Sequence, residues 1–230
     1  MLIGILETGL APDALRPRSG SYPDMFRRLL APHGLDFRSW SVVAGDFPDS
    51  VHDAEGWLIT GSRHGAYDDL PWIAPLEALI RQAVAEGVPL VGICFGHQIV
   101  AQALGGKVEK FAGGWAVGPQ DYDFDGEVLR LNAWHQDQVT VAPPGAEVIA
   151  THPFCAIAGL RLSDKALTVQ PHPEFDDAFI EGLIETRGRG LVPDARLDAA
   201  LQRLGAPNDA AAMAARIAAF FRQPRTPVAA

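Results

Sequence analysis

The chain has 230 residues, of which 48% are hydrophobic and 20% are charged, and its formal net charge at pH 7 is -9. This composition is typical of a globular protein with one domain. The negative charge argues against a nucleic-acid or anionic-membrane partner, because binding to phosphates needs clustered cations. The nearest basic cluster, Arg187-Gly-Arg189, is too small for that role and is interpreted as a solvated loop.

Cysteine usage and the N-terminus predict a cytoplasmic protein. The two cysteines, Cys94 and Cys155, could form a disulfide arithmetically, but nothing suggests a secreted, disulfide-stapled domain. Residues 1–6 lack the basic region and the length of a signal peptide. No apolar run approaches membrane-spanning length, so we expect no membrane partner.

The first half of the chain alternates between short buried strands and amphipathic helices. Strands are predicted at residues 2–6, 36–43, 56–61 and 88–93, and helices at residues 23–30, 72–86 and 97–104. Ser21 is expected to cap the first helix, and Gly105 to end the third. This order favours a mostly parallel sheet with helices on both faces.

The second half is richer in Gly, Pro and Asp and predicts short strands at residues 107–114, 127–134, 138–142, 147–152, 155–160 and 166–170. We expect antiparallel hairpins that continue the sheet at one edge. The tail is predicted to form helices at residues 176–187, 194–204 and 209–221, with Phe220-Phe221 facing the core. No repeat or long linker divides the chain, so residues 1–230 are predicted to form one domain with a helical C-terminal extension, residues 176–230.

A candidate nucleophile lies in the stretch Gly92-Ile-Cys94-Phe-Gly96, between the fourth strand and the third helix. This is the Gly-x-nucleophile-x-Gly pattern of a strained strand-to-helix turn, with a thiol where esterases carry a serine. The glycines remove Cβ atoms that would collide in so sharp a turn. Cys94 would also lie at a helix N-terminus, where the macrodipole favours an anion. The alternative is a small cysteine buried in a tight turn.

The helix dipole alone cannot activate a thiol. A free thiol has a pKa near 8.5, so a useful nucleophile needs a shift of about 1.5 units, or about 2 kcal/mol. The dipole supplies roughly 0.3–1 kcal/mol. A second group, an imidazolium, is therefore required.

His172 and Glu174 are the candidates for that group and its partner, in the stretch Gln170-Pro-His172-Pro-Glu174. Pro173 keeps His172 extended, and residues two apart in extended chain face the same way. A carboxylate so placed can accept the ring N–H and stabilise the imidazolium. Taken alone, the motif is also compatible with a solvated loop.

Together, the stretches 92–98 and 170–174 resemble the class I, triad-type glutamine amidotransferase family. The resemblance covers about the first 175 residues and implies a flavodoxin-like, three-layer α/β domain. It implies that Cys94, His172 and Glu174 form a catalytic triad. It also implies that the backbone N–H groups of Phe95 and Gly61 form the oxyanion hole. The N–H after the nucleophile and one from a neighbouring strand end, at Gly61-Ser62, are also what the turn geometry predicts.

The resemblance further implies which residues surround the substrate. Gln98 matches a glutamine that helps to hold it, and Gly114-Trp115 falls where backbone atoms meet its amino-acid end. The substrate-binding prediction is Gln98, Ser62, Gly114, Trp115 and His135. His135 and Asp137 recur in the family near the glutamine pocket and are interpreted as pocket-lining or structural.

The remaining histidines and the second cysteine are given no catalytic role. His64, His97 and His152 lack the spacing of metal ligands and are expected at the surface or in the core, so neither a metal nor another cofactor is predicted. Cys155 lies in an apolar strand and is interpreted as inert packing.

The expected activity is hydrolysis of the γ-glutamyl amide of glutamine or a γ-glutamyl compound through a cysteinyl thioester. No ammonia-consuming domain follows residue 175, so the chain either acts alone or serves a separate synthetase partner. The motif form resembles the stand-alone γ-glutamyl-hydrolysing members and the glutaminase domain of guanylate synthetases. A non-catalytic module that kept the fold is a further alternative. A cysteine α/β-hydrolase is disfavoured, because it would need its acid before a late histidine.

Overall fold

A nine-stranded mixed sheet forms the centre of the structure, a computed structural model that describes residues 1–225. Residues 226–230, the end of the predicted extension, lie outside the described residues. The strands are β1 (Leu2–Leu6), β2 (Asp36–Trp40), β3 (Gly56–Ile59), β4 (Leu90–Ile93), β5 (Lys107–Lys110), β6 (Ala116–Phe124), β7 (Glu127–His135), β8 (Asp137–Val141), β9 (Glu147–His152), β10 (Cys155–Leu162) and β11 (Ala166–Val169). Their order across the sheet is β2-β1-β3-β4-β11-β10-β9-β6-β7, and β5 pairs with β8 separately.

Five neighbouring strands, from β2 to β11, run parallel to one another. Strands β3, β4 and β11 are buried along their whole length, as expected for apolar runs covered on both faces. Ile59 pairs with Gly92 and Ile93 with Val169, so these strands end at the same edge of the sheet. Open α/β sheets usually bind their ligands at this edge.

The other strands of the large sheet are antiparallel and continue it at one edge, as predicted. The prediction missed β6, because Gly118 and Pro119 within it favour a turn rather than a strand. Strands β6 and β7 pair over their whole length and form a hairpin closed by Asp125 and Gly126. Both residues have positive φ, 52° and 90°, which an Asp-Gly hairpin turn requires.

Two predicted strands do not join the large sheet. The strand expected at residues 107–114 ends at Lys110, and its partner is β8. The expectation that all these strands extend one sheet is therefore wrong for this pair, since partner choice between short strands is set by the whole fold. The small sheet carries Lys110 and Asp137 to the edge where the parallel strands end.

Helices cover both faces of the large sheet, which gives the predicted three-layer architecture. They are α1 (Arg16–Ser19), α2 (Tyr22–Leu30), α3 (Ile73–Ala85), α4 (Phe95–Ala103), α5 (Asp177–Leu183), α6 (Asp194–Arg203) and α7 (Ala210–Arg222). Helices α3 and α4 share one apolar core with β3, and α2 and α7 share another with β1 and β4. Ser21 caps α2 in a capping box with Asp24, and Phe220 and Phe221 are buried, as predicted. Within the described residues, no helix is both long and apolar enough to cross a membrane.

The first part of the C-terminal extension reaches the pocket at the edge where β4 and β11 end, whereas α7 covers a face of the sheet. Asp176 caps α5 by accepting from the Phe179 N–H at 2.7 Å. The helix predicted for residues 176–187 changes at Ile184 into a π-helical turn, Ile184–Gly188. The interpretation of Arg187 as part of a solvated loop is wrong, because it lies in this turn and lines a pocket. Here α5, the turn and α6 form a third apolar cluster that includes Tyr22 and Phe175.

Candidate active site

Cys94 sits in the strained turn that the sequence predicts, between β4 and α4. Its backbone has φ 54° and ψ -103°, which few residues with a side chain adopt. A Cβ at Gly92 would lie 2.4 Å from the carbonyl oxygen of Gly96, and one at Gly96 would lie 2.3 Å from that of Ile59. Both positions therefore require glycine. The Cys94 N–H donates to the carbonyl of Val169 at 2.9 Å, which fixes the turn to β11.

His172 and Glu174 do project together, as the extended chain predicts. His172 Nδ1 and Glu174 Oε1 are 2.7 Å apart, and both side chains are almost fully buried. The His172 N–H donates to the carbonyl of Asn132 at 2.7 Å, and the imidazole stacks on Phe175 with ring centroids 4.0 Å apart. The ring is thus held by its backbone, its stacking partner and the carboxylate.

The charges around His172 favour an imidazolium. Burial alone would lower the pKa of His172, but the neighbouring charges and hydrogen bonds of Cys94 and Glu174 outweigh burial and raise that pKa to about 10. Because Nδ1 faces Glu174, Nε2 is the nitrogen that remains for the thiol and a substrate. Glu174 Oε2 is buried without a hydrogen-bond partner among the described residues, so this carboxylate serves mainly the histidine.

Gly61 lies against both His172 and Cys94. A Cβ on Gly61 would be 2.8 Å from His172 Cε1 and 3.7 Å from Cys94 Cβ, so a side chain here would displace the imidazole. Phe95 follows Cys94 as the first residue of α4, and the first N–H groups of a helix have no intrahelical partner. Gly61 and Phe95 therefore both lie beside Cys94, on two separate segments of the chain.

Two buried threonines, which the sequence analysis did not single out, hold the Gly61 peptide. Thr8 Oγ1 donates to the carbonyl of Thr60 at 2.8 Å, and the Thr8 N–H donates to Thr60 Oγ1 at 3.0 Å. In a trans peptide the N–H points away from the preceding C=O. Fixing the Thr60 carbonyl therefore also fixes the direction of the Gly61 N–H. Thr8 follows β1 and Thr60 follows β3, so their positions at adjacent strand ends were the available signal.

A pocket of about 330 Å³ opens over Cys94 and His172. Of the predicted substrate-binding residues, Gln98, Ser62, Trp115 and His135 line it, and Gly114 does not. Cys94 itself is only 5% exposed, so the sulfur is reached through this pocket rather than from the open surface.

Gln98 and His135 make hydrogen bonds that were not expected. Gln98 Nε2 donates to the carbonyl of Asp137 at 2.9 Å and to Gln170 Oε1 at 3.1 Å, so its NH₂ group is used within the protein. His135 Nδ1 lies 3.2 Å from the same Asp137 carbonyl, which can only accept, so Nδ1 carries the proton. Burial lowers the pKa of His135 to about 3, and the buried Nε2 has no partner among the described residues. His135 therefore presents a neutral acceptor.

The pocket also has walls that sequence reasoning missed. On one side, the Tyr67 hydroxyl donates to Asp137 Oδ2 at 3.0 Å, and burial raises the pKa of Asp137. On another side, Tyr22 contacts Phe175, with ring centroids 5.8 Å apart, and Arg187 lies close to Tyr22. These residues come from a loop, a strand, a helix and the extension, so no local sequence motif predicts that they line the pocket.

The groups given no catalytic role mostly lie away from the pocket. His97 is buried between Thr168 Oγ1 and the Ile157 carbonyl, and burial lowers the pKa of His97 to about 4. Burial also raises the pKa of Cys155 to about 12, as suits inert packing, and both cysteines are free. His64, by contrast, lines the pocket. Within residues 1–225, no group of three or more His, Cys, Asp or Glu residues could hold a metal ion.

Comparison with known proteins gives a consistent picture. Residues 49–178 match the family model described as glutamine amidotransferase class-I. Gamma-glutamyl peptidase 4 of Arabidopsis thaliana is 33% identical over an alignment of 183 residues that covers 72% of each chain. A glutamine-hydrolyzing GMP synthase of Thermus thermophilus is 34% identical over an alignment of 170 residues that covers 66% of this chain but 32% of that one.

The fold is also found in solved structures. The crystal structure of a glutamine amidotransferase from Methylobacillus flagellatus superposes with a TM-score of 0.74 and 25% identity, and covers 96% of this chain and 91% of that one. A likeness over nearly the whole length includes the C-terminal extension as well as the region that the family model matches.

Proposed function

Because the chain belongs to the class I glutamine amidotransferase family, we propose that it hydrolyses a γ-glutamyl amide bond through a cysteinyl thioester and acts without a partner subunit. The substrate is glutamine or, in preference, a γ-glutamyl compound. The observation that carries this proposal is the buried His172–Glu174 pair, with Nδ1 and Oε1 2.7 Å apart, whose histidine lines the same pocket as Cys94. The gamma-glutamyl peptidase relative supports the choice of bond.

In the first half of the reaction, the Cys94 thiolate attacks the γ-carbonyl carbon. The N–H groups of Phe95 and Gly61 stabilise the oxyanion, and each such donor contributes on the order of 3 kcal/mol. The His172 imidazolium then gives its Nε2 proton to the departing nitrogen, which leaves as a neutral amine. The product is a γ-glutamyl thioester on Cys94.

In the second half, neutral His172 takes a proton from water, and the resulting hydroxide attacks the thioester. Glutamate leaves, the thiolate returns, and His172 is again protonated. The part of Glu174 is to hold the ring and to stabilise the imidazolium. A thiolate that must stay reduced suits a cytoplasmic location, which is part of the proposal.

A panel of substrates on the purified protein tests this function: glutamine, γ-glutamyl dipeptides and glutathione conjugates. We expect the protein alone to turn over a γ-glutamyl peptide, and Cys94→Ala to abolish turnover. Cys155→Ala is the matched control, because that thiol is buried away from the pocket, and it should keep activity. Equal turnover by Cys94→Ala and the wild type would refute the thioester mechanism.

The alternative is a glutaminase subunit that delivers ammonia to a separate synthetase. The GMP synthase relative, a protein about three times as long as the matched part, favours it. It predicts negligible turnover of every substrate until a synthetase is added. A non-catalytic module predicts no turnover in either case and no fast alkylation of Cys94 by iodoacetamide at neutral pH.

A further inference from the structure

Arg187 is a half-buried cation in the pocket wall that neither the mechanism nor the family match explains. It lies outside residues 49–178, on the π-helical turn that follows α5. Here the turn brings Arg187 into the pocket, while Arg189, two residues later, is exposed.

The protein leaves much of the Arg187 guanidinium unused. Its Nη2 donates to the carbonyl of Leu10 at 3.2 Å, and the group lies near the Tyr22 hydroxyl. Within residues 1–225, no carboxylate forms an ion pair with Arg187, whereas Arg189 pairs with Asp194 at 2.8 Å. A guanidinium has five N–H donors in a planar fork that matches a carboxylate. Arg187 can therefore still take a carboxylate in two-point contact.

Contacts connect Arg187 to the histidine side of the site. His172 stacks on Phe175, the Phe175 ring contacts Tyr22, and the Tyr22 hydroxyl lies beside Arg187. Burial raises the pKa of Tyr22 to about 12, so its hydroxyl stays protonated beside the cation. Elsewhere in the pocket, the Asp137 carboxylate accepts from the Tyr67 hydroxyl, and the Asp137 backbone carbonyl accepts from Gln98 Nε2.

The position of the general acid decides what Arg187 can touch. The nitrogen that accepts the proton of His172 must come within hydrogen-bond reach of it. The leaving group therefore lies on the side of His172, and Tyr22 and Arg187 line the same pocket as His172. Ammonia, the leaving group of glutamine, has no far end. A leaving amino acid or dipeptide ends in a carboxylate. For two extended residues, this carboxylate lies at most about 7 Å from the departing nitrogen.

We propose that Arg187 binds the C-terminal carboxylate of a peptide leaving group and so selects γ-glutamyl peptides over glutamine. The inference rests on the proposed function and deepens it, since it assigns the leaving-group half of the pocket. It also gives the C-terminal extension a role in specificity. Arg187 touches substrate but takes no part in bond breaking.

The test compares peptides that differ only at the C-terminus: γ-Glu-Ala and γ-Glu-Ala-Gly as free acids and as C-terminal amides. For the wild type, we expect kcat/KM to be about tenfold to a hundredfold higher for at least one acid than for its amide, the range for a hydrogen bond between charged groups. In Arg187→Gln the acid-to-amide ratio should fall to near one, mostly through KM. Arg187→Lys, which keeps the charge without the fork, should give an intermediate ratio.

Two controls separate the outcomes. Arg189→Gln removes a neighbouring cation that is paired outside the pocket, so it should keep the wild-type ratio. Because both members of a ratio come from one preparation, partial unfolding of a variant does not alter it. An unchanged ratio in an active Arg187→Gln would overturn this inference and leave the proposed function intact. If the wild type hydrolysed no γ-glutamyl compound, the proposed function would fall, and this inference with it.

Discussion

Glu174→Gln tests the histidine–carboxylate pair most directly. The Glu174 side chain is 1% exposed, and its Oε1 lies 2.7 Å from His172 Nδ1, so the change removes a charge at nearly constant shape. An opposite charge at this distance shifts a pKa by about 1–3 units, equal to about 1.4–4 kcal/mol. The Gln amide can also donate to Nδ1 and so select the wrong tautomer. For this reason we expect kcat for a γ-glutamyl peptide to fall about 10³- to 10⁴-fold.

The pH dependence follows from the same contact. Proton donation to the leaving amine needs the imidazolium, and the pKa of His172 is raised to about 10. In the wild type, kcat/KM should therefore fall only as pH rises towards about 10. In Glu174→Gln this alkaline limb should move down by about 1–3 units, because the charge that holds the proton is gone.

Steady-state kinetics with two leaving groups provide the assay. A γ-glutamyl p-nitroanilide needs little protonation to leave, so Glu174→Gln should affect it less than a γ-glutamyl peptide. Glu181→Gln, an exposed carboxylate on α5, is the matched control and should leave both rates unchanged. A Glu174→Gln protein with wild-type kcat and an unmoved alkaline limb would refute the reasoning.

Three further predictions concern the scaffold of the site. Thr8→Val removes the hydroxyl that holds the Thr60 carbonyl, so kcat should fall about tenfold to a hundredfold with little change in KM. This decrease is somewhat smaller than the decrease expected for loss of an oxyanion donor. An unchanged kcat would contradict the positioning role of Thr8. Gly96→Ala puts a Cβ 2.3 Å from the Ile59 carbonyl oxygen and should lower the free energy of unfolding by about 1–3 kcal/mol or more in denaturant titrations; wild-type stability would show that the turn can relax. Because the pKa of His97 is lowered to about 4 in the folded state and is about 6.5 in an unfolded chain, the unfolded chain binds more protons between these values. The free energy of unfolding should therefore decrease as pH falls through that window, and it should decrease less in His97→Gln. Equal slopes of unfolding free energy against pH in the two proteins would contradict this prediction.

The sequence predicted the parts of the site whose geometry is local. The turn at Cys94 follows from two glycines that leave no room for a Cβ, and the pairing of His172 with Glu174 follows from an extended X-Pro segment. Both patterns constrain the backbone within a few residues. The parallel core was predictable for a similar reason, since continuous apolar runs need cover on both faces.

The rest depends on contacts between distant segments. Strand β6 contains Gly118 and Pro119, which disfavour a strand locally, and its pairing with β7 outweighs that preference. Helix α4 contacts both β5 and β8, so the pairing of these two strands depends on how α4 packs on the sheet. Arg187 reaches the pocket only because a helix changes its hydrogen-bond pattern, and no composition rule predicts such a change.

The separation of Cys94 and His172 along the chain has a kinetic consequence. They follow strands β4 and β11, which are neighbours in the sheet although strands β5 to β10 all lie between them in sequence. Contacts of such long range form slowly, because the loop between them must close first. During refolding, the helical circular dichroism signal should return before turnover does. Enzyme activity would then report the joining of these two strands.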